Sequence, residues 1–223
     1  MLPPVVAQLY EWDCGVACAL CLLRHFHHLR GNQSFQPSLY QSFPGPSVWT
    51  IELAYFLHRE GINVMFSSAY IGVDPSHENV GFYASCFRED AKRIELCFQQ
   101  ADASGMTVVE RSVGEFEMAA WLAASPNRYL IILVDATVLE SATDGIYRGH
   151  YIVVTGRPQS LPHTPSFMMM DPRHAADGWK CIGGEKLSVA RQAPGTDEDI
   201  IWISLSKAEV TAVPATSLPI PPP

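Results

Sequence analysis

Gln8-Leu9-Tyr10-Glu11-Trp12-Asp13-Cys14-Gly15-Val16-Ala17-Cys18 is the stretch on which the reading of the chain turns. Asp13 is a helix-capping residue type directly before an apolar run to Phe26, with Val16, Cys18, Leu20, Leu22 and Leu23 on helical spacing. His25, His27, His28 and Arg30 load the far end of this helix with positive charge, and Gly31-Asn32 stop it. Cys14 thereby falls in the first helical turn. Unpaired backbone N–H groups and the helix macrodipole favour an anion there, and so favour a thiolate.

A nucleophilic cysteine needs a base, and the base needs a group that orients it. His150 lies 136 residues beyond Cys14, just after Gly149 and at the head of the apolar strand Tyr151 to Val154. Asp171 follows 21 residues later, at the end of the strand Phe167 to Met170. Antiparallel neighbours would set His150 and Asp171 side by side, so that the carboxylate holds the imidazole. Gln8 stands six residues before Cys14, where its amide can join the Cys14 N–H in an oxyanion hole. The order Gln, Cys, His, Asp and the Cys-to-His spacing are those of papain-like thiol enzymes. Taken singly, each residue has a plain structural reading: a cysteine filling a core, a histidine at a strand edge, an Asp-Pro turn. The joint order and spacing argue for a site. Trp12, Asp13 and Gly149 flank it as candidate substrate contacts, with Trp12 reading equally well as packing under the helix. This chemistry requires no metal and no cofactor.

Outward from this site, the spacing predicts helices over Val48 to His58, Phe82 to Ala103 (one or two) and Gly114 to Ala123, the last burying Phe116, Met118, Ala119 and Leu122. Short strands are predicted at Asn63 to Ser67 and Thr107 to Glu110. Buried strands follow at Tyr129 to Val134, Gly149 to Thr155, Phe167 to Met170 and Ile200 to Leu205. Helices before strands give an α+β class, with N-terminal helices packed on a C-terminal antiparallel sheet. The predicted domain spans 1–206, and 207–223, with prolines at 214, 219, 221, 222 and 223, reads as a disordered or extended tail.

Composition bounds the function. The 223 residues are 48% hydrophobic and 17% charged, enough for an ample core and unlike a disordered chain. A net charge of −8 and the lack of a basic stripe argue against nucleic acid as partner. No run approaches the length of a membrane helix. Six cysteines, three of them crowded at 14, 18 and 21, are not a disulfide framework, which favours reduced thiols and a cytoplasmic or nuclear setting.

The opening motif Gln8 to Cys18 resembles that of the eukaryotic guanylyl-cyclase-domain-containing proteins, the guanylylate cyclase family. Ser47-Val-Trp-Thr-Ile-Glu-Leu-Ala-Tyr55, Gly149-His-Tyr-Ile-Val-Val-Thr-Gly156 and Gly195-Thr-Asp-Glu-Asp-Ile-Ile201 match as well, so that the resemblance runs from Gln8 to Leu205. That family is in turn similar to papain-like peptidases that process bacteriocin leaders. The resemblance implies a papain-like fold, places Gln8, Cys14, His150 and Asp171 at the catalytic positions, and makes a peptide or protein the expected substrate. The family name implies a different activity, synthesis of cyclic GMP.

Cyclisation of a nucleoside triphosphate calls for metal-holding carboxylates and groups that neutralise phosphates. The chain offers no glycine-rich phosphate loop, and its acidic run Asp197-Glu198-Asp199 reads as a solvated loop. The expected function is therefore a thiol hydrolase, with guanylyl cyclase as the alternative and a catalytically silent binding module as a second. Cys14-x3-Cys18-x2-Cys21 also has the spacing of a radical S-adenosylmethionine cluster, with Gly183-Gly184-Glu185 as a second motif, but a helix is the wrong setting for it. Cys18 and Cys21 as a redox pair lack the βαβ context. The histidines at 25, 27 and 28 read as a solvated cationic helix end rather than metal ligands.

Overall fold

The computed structural model describes residues 1–31, 42–43, 47–75, 87–142, 145–156 and 165–205. Its helices are α1 (Cys14–Leu29), α2 (Thr50–Arg59), α3 (Phe87–Ala103), α4 (Glu115–Ala123), α5 (Ala136–Leu139) and α6 (Gly184–Arg191). Its strands are β1 (Asn63–Ser68), β2 (Thr107–Glu110), β3 (Arg128–Asp135), β4 (Gly149–Gly156), β5 (Ser166–Met170), β6 (Trp179–Gly183) and β7 (Ile200–Ser204). The strands form one seven-stranded sheet in the order β2-β1-β7-β3-β4-β5-β6. The class is mixed α+β.

The sheet is buried on both faces, which is why its central strands read as unbroken apolar runs. Along β3, Tyr129, Ile131 and Leu133 enter one core with α1 and α2, while Leu130, Ile132 and Val134 enter a second core with α4 and α6. In β4, Tyr151 and Val153 take the first side, and Ile152 and Val154 the second. Helix α1 is buried nearly all round, from Cys14 to Leu23 without a break. It therefore lies inside the molecule, as its continuous apolar sequence requires.

The arrangement differs from helices stacked on a C-terminal sheet. β1 and β2 come from the first half of the chain, pair in parallel and are joined through α3; β1 then pairs antiparallel with β7 from the far end. A parallel pair needs such a crossover. Helices also cover the second face. Strand β6 carries no apolar run; it forms by pairing along β5, from Ser166 opposite Gly183 to Met170 opposite Trp179. In α4, Met118 and Leu122 are buried, Ala119 is half-buried, and Phe116 is exposed, contrary to the expected stripe. The Pro-rich tail from 207 and the loop prolines at 37, 44 and 46 lie outside the described residues.

One end of the sheet gathers the chemistry. The register places Val134 opposite His150 and Asp135 opposite Gly149. Val153 lies opposite Met170, so the chain leaving β5 delivers Asp171 beside the start of β4. Helix α1 packs along β4, and Gly15 is what lets it approach. A Cβ there would lie 2.6 Å from Leu53 Cδ1 and 2.8 Å from Tyr151 Cδ2.

Candidate functional site

The site is built on His150. Its Nε2 lies 2.8 Å from Asp171 Oδ1, with both side chains almost completely buried. Asp171 Oδ1 also accepts the Arg173 N–H at 2.9 Å, which fixes the carboxylate. Burial pulls the imidazole toward its neutral form, but the hydrogen bonds and charges of Asp171 and Cys14 outweigh it and raise the pKa to about 9. For Asp171, burial acts to raise the pKa, and the opposing bond to His150 leaves it lowered. With Nε2 engaged by Asp171, the ring edge left for the Cys14 sulfur is Nδ1, which is buried and has no hydrogen-bond partner among the described residues.

Cys14 is the first residue of α1, as its spacing from Asp13 predicts, and keeps 5% of its surface exposed while Cys18 and Cys21 are sealed. Burial, reinforced by the neighbouring sulfurs, pushes the Cys18 thiol well up; burial does the same to Cys21. Cys18 Sγ rests 3.4 Å from the Tyr151 carbonyl oxygen. The three α1 sulfurs thus divide into one at the helix start and two packed in the core, and their place within a single buried helix removes the iron–sulfur reading.

Gln8 reaches the same end of the molecule by its backbone: its N–H donates to the Pro172 carbonyl at 3.0 Å, one residue past Asp171. Its Nε2 donates to the Tyr10 carbonyl at 2.9 Å. The structure therefore brings the Gln8 backbone, the start of α1 at Cys14, His150 and Asp171 to the same end of the sheet.

The three candidate substrate contacts fare differently. Asp13 is fully buried and turned away from solvent. It occupies the N-cap position but makes no side-chain cap; its carboxylate binds the Leu9 and Tyr10 N–H groups instead. Gly149 does not offer an open surface. A Cβ there would lie 2.9 Å from Tyr147 Oη, and that hydroxyl donates to the Gly195 carbonyl at 2.7 Å. The missing side chain makes room for the Tyr147 ring. Trp12 is half-buried against the α1 core and stacks with Tyr10 at 5.9 Å and 7°, beside an open depression lined by Gln8 to Trp12.

Asp135 was not anticipated. It is buried, caps α5 by accepting the Thr137 N–H at 2.9 Å, and accepts the Arg148 N–H at 3.1 Å, so it holds the segment that leads into His150. The run Asp135-Ala-Thr-Val-Leu139 after an apolar strand carries a legible capping signal. The helix-end histidines are also corrected: His25 is buried against Tyr129, and burial lowers the pKa of both His25 and His27. A separate apolar cavity of about 650 Å³, lined by Leu122, Tyr129, Thr155 and Phe167 among others, includes none of the candidate residues.

Two comparisons bear on this arrangement. Residues 3–203 match the family model described as guanylylate cyclase. The chain is also similar to a protein named Guanylyl cyclase 1 from Arabidopsis thaliana, with 32% identity over 215 residues, covering 91% of this chain and 75% of that protein. The match takes in every residue of the site from Gln8 to Asp171, and the chain belongs to the guanylylate cyclase family.

Proposed function

We propose that this chain is a thiol-dependent acyl hydrolase of papain-like type, acting on an amide or ester of a peptide or protein in a reducing, cytoplasmic setting. The observation that carries the reading is the buried His150 ring, held by Asp171 at 2.8 Å, with the charge of the Cys14 sulfur among the causes that raise its pKa to about 9. An imidazole that keeps its proton beside a sulfur is suited to protonate a leaving group. In the proposed reaction the Cys14 sulfur bonds to the acyl carbon, and the carbonyl π pair moves onto oxygen. The Gln8 amide and the Cys14 N–H receive that oxyanion. As the carbonyl reforms, the bond to the leaving group breaks, and His150 gives it a proton. Water then attacks the thioester, losing a proton to His150; the acid leaves and the thiol is restored. The α1 amides suit this role because the Asp13 side chain does not cap them.

The names of the family and of the plant relative favour a second reading, guanylyl cyclase. They back it more directly than they back a hydrolase. Such a reaction would use a divalent cation held by carboxylates. The acidic run fits this poorly, since Glu198 Oε2 is bound by Arg191 at 2.9 Å and by the Ser112 hydroxyl at 2.6 Å. Asp197 and Glu198 also sit at φ of 49° and 56°.

One pair of assays separates the two. Iodoacetamide is expected to alkylate Cys14 selectively near pH 7, and His150→Ala to slow this about 100-fold. Ordinary thiol reactivity at Cys14 that ignores His150 sinks the hydrolase. Cyclic GMP made from GTP with Mn²⁺, at equal rates by wild type and Cys14→Ala, would establish the cyclase as independent of the thiol.

A further inference from the structure

Asp13 is fully buried one residue before Cys14, and the acyl-transfer steps above give it no part. Its carboxylate faces backwards along the chain. Oδ1 and Oδ2 accept the Leu9 N–H at 3.2 and 3.0 Å, and Oδ1 accepts the Tyr10 N–H at 3.1 Å. The Leu9 and Tyr10 side chains are 69% and 58% exposed, so a buried acid is gripping a surface loop by its backbone. Charge-assisted bonds of this kind are the strong ones.

The loop passes the constraint to Gln8. The Tyr10 carbonyl, an acceptor only, meets Gln8 Nε2 at 2.9 Å, which settles which end of the amide is which. Gln8 Oε1 is left buried with no hydrogen-bond partner among the described residues, an arrangement that costs free energy and that an unconstrained surface glutamine would relieve by turning outward. The backbone of Gln8 is tied to Pro172 at 3.0 Å. Nε2 retains a second hydrogen.

We propose that Asp13 is a positioning residue: through the Leu9 and Tyr10 amides it holds the loop that presents the second N–H of the Gln8 amide to the oxyanion formed at Cys14. This inference rests on the hydrolase reading. It identifies the acid beside the nucleophile as an internal brace of the oxyanion hole, in place of a substrate contact.

Two probes on the full chain test it. Iodoacetamide reacts with the sulfur at a saturated carbon and forms no oxyanion, whereas p-nitrophenyl acetate forms one and releases p-nitrophenolate in a burst. Asp13→Asn is expected to slow the burst by about 10- to 100-fold and to change alkylation by less than about two-fold. Gln8→Ala should give a similar loss, and Asp13→Asn added to it should cost nothing further. A burst that Asp13→Asn leaves intact, or losses that multiply in the double variant, overturn the inference alone. A wild type with neither rapid alkylation nor a burst removes the hydrolase reading and this inference with it. Should Asp13→Asn not unfold cooperatively, hydrogen exchange in the unaltered protein decides. Leu9 and Tyr10 amides protected about 100-fold despite exposed side chains support the brace, and free exchange at both overturns it.

Discussion

Two buried histidines are driven in opposite directions. His25, on α1, meets the Tyr129 hydroxyl at 3.2 Å, and burial, helped by the positive N-terminus and His28, lowers its pKa. His150 is as deeply buried, yet Asp171 and Cys14 raise its pKa to about 9. A phenol stabilises neutral imidazole well enough. A carboxylate with a sulfur anion beside it makes the charged form the better one despite burial. The charge at His150 is therefore a property of its partners, and it marks the sheet end at Gly149 and Asp171 as electrostatically distinct from the far end of α1.

The largest effect is expected from making His150 resemble His25. Asp171→Ala should lower the His150 pKa well below about 9, followed by the ring proton resonances in an NMR titration. Unfolding free energy near pH 6 should fall by about 3 kcal/mol, since one partner of a buried pair is lost. The sign follows from the raised pKa. The wild-type pair contributes fully below about pH 6.5, the unfolded value, and its contribution disappears as pH rises through about 9. Wild type and variant should thus converge in stability above pH 10, in denaturant melts. A His150 that still titrates near 9 in the variant would show that Asp171 does not set its charge.

Gly15→Ala sharpens the comparison by disturbing one end of α1 only. The new methyl would overlap Leu53 and Tyr151, forcing the helix start away from β4 at a cost of about 1–3 kcal/mol. His25 is ten residues further on, about 15 Å along the helix axis. The expected outcome is slower Cys14 alkylation and a lowered His150 pKa, with the His25 resonances unmoved. Equal shifts at both histidines would show that α1 moves as a rigid body and that the two sites are coupled through it.

How much of this the chain discloses before folding depends on the range of the signal. The start of α1 at Cys14 and the strands β3 and β4 are legible because capping types and apolar runs are local. The meeting of Gln8, Cys14, His150 and Asp171 is legible only as an order and a spacing, and it takes the register of β4 with β5 to turn this into a 2.8 Å contact. The inward turn of Asp13 is not legible, since a capping residue type reads the same whether it caps or reaches back to Leu9 and Tyr10. Gly149 misleads for a similar reason: the space beside it belongs to Tyr147, which only the folded loop brings there. His25 sits at an apparently polar helix end, but the burial that neutralises it comes from Tyr129, more than a hundred residues away.

The smallest effect is expected at that second histidine. Tyr129→Phe removes the hydroxyl that meets His25 Nε2 and donates to the Pro126 carbonyl at 3.3 Å, in a place where burial also raises the phenol pKa to about 12. The loss should be about 1 kcal/mol in a denaturant melt, typical of a neutral hydrogen bond. Because the phenol holds no charge and balances none, His25 should stay neutral at pH 7, and both the His150 titration and Cys14 alkylation should be unchanged. The test is pointed because Tyr129 stands on β3, which pairs directly with β4 and so with the strand that carries His150. A shift of the His150 pKa in Tyr129→Phe would mean that the strand pair transmits packing changes to the site, and that the contrast between the two imidazoles reflects the whole core and not only the atoms each one touches.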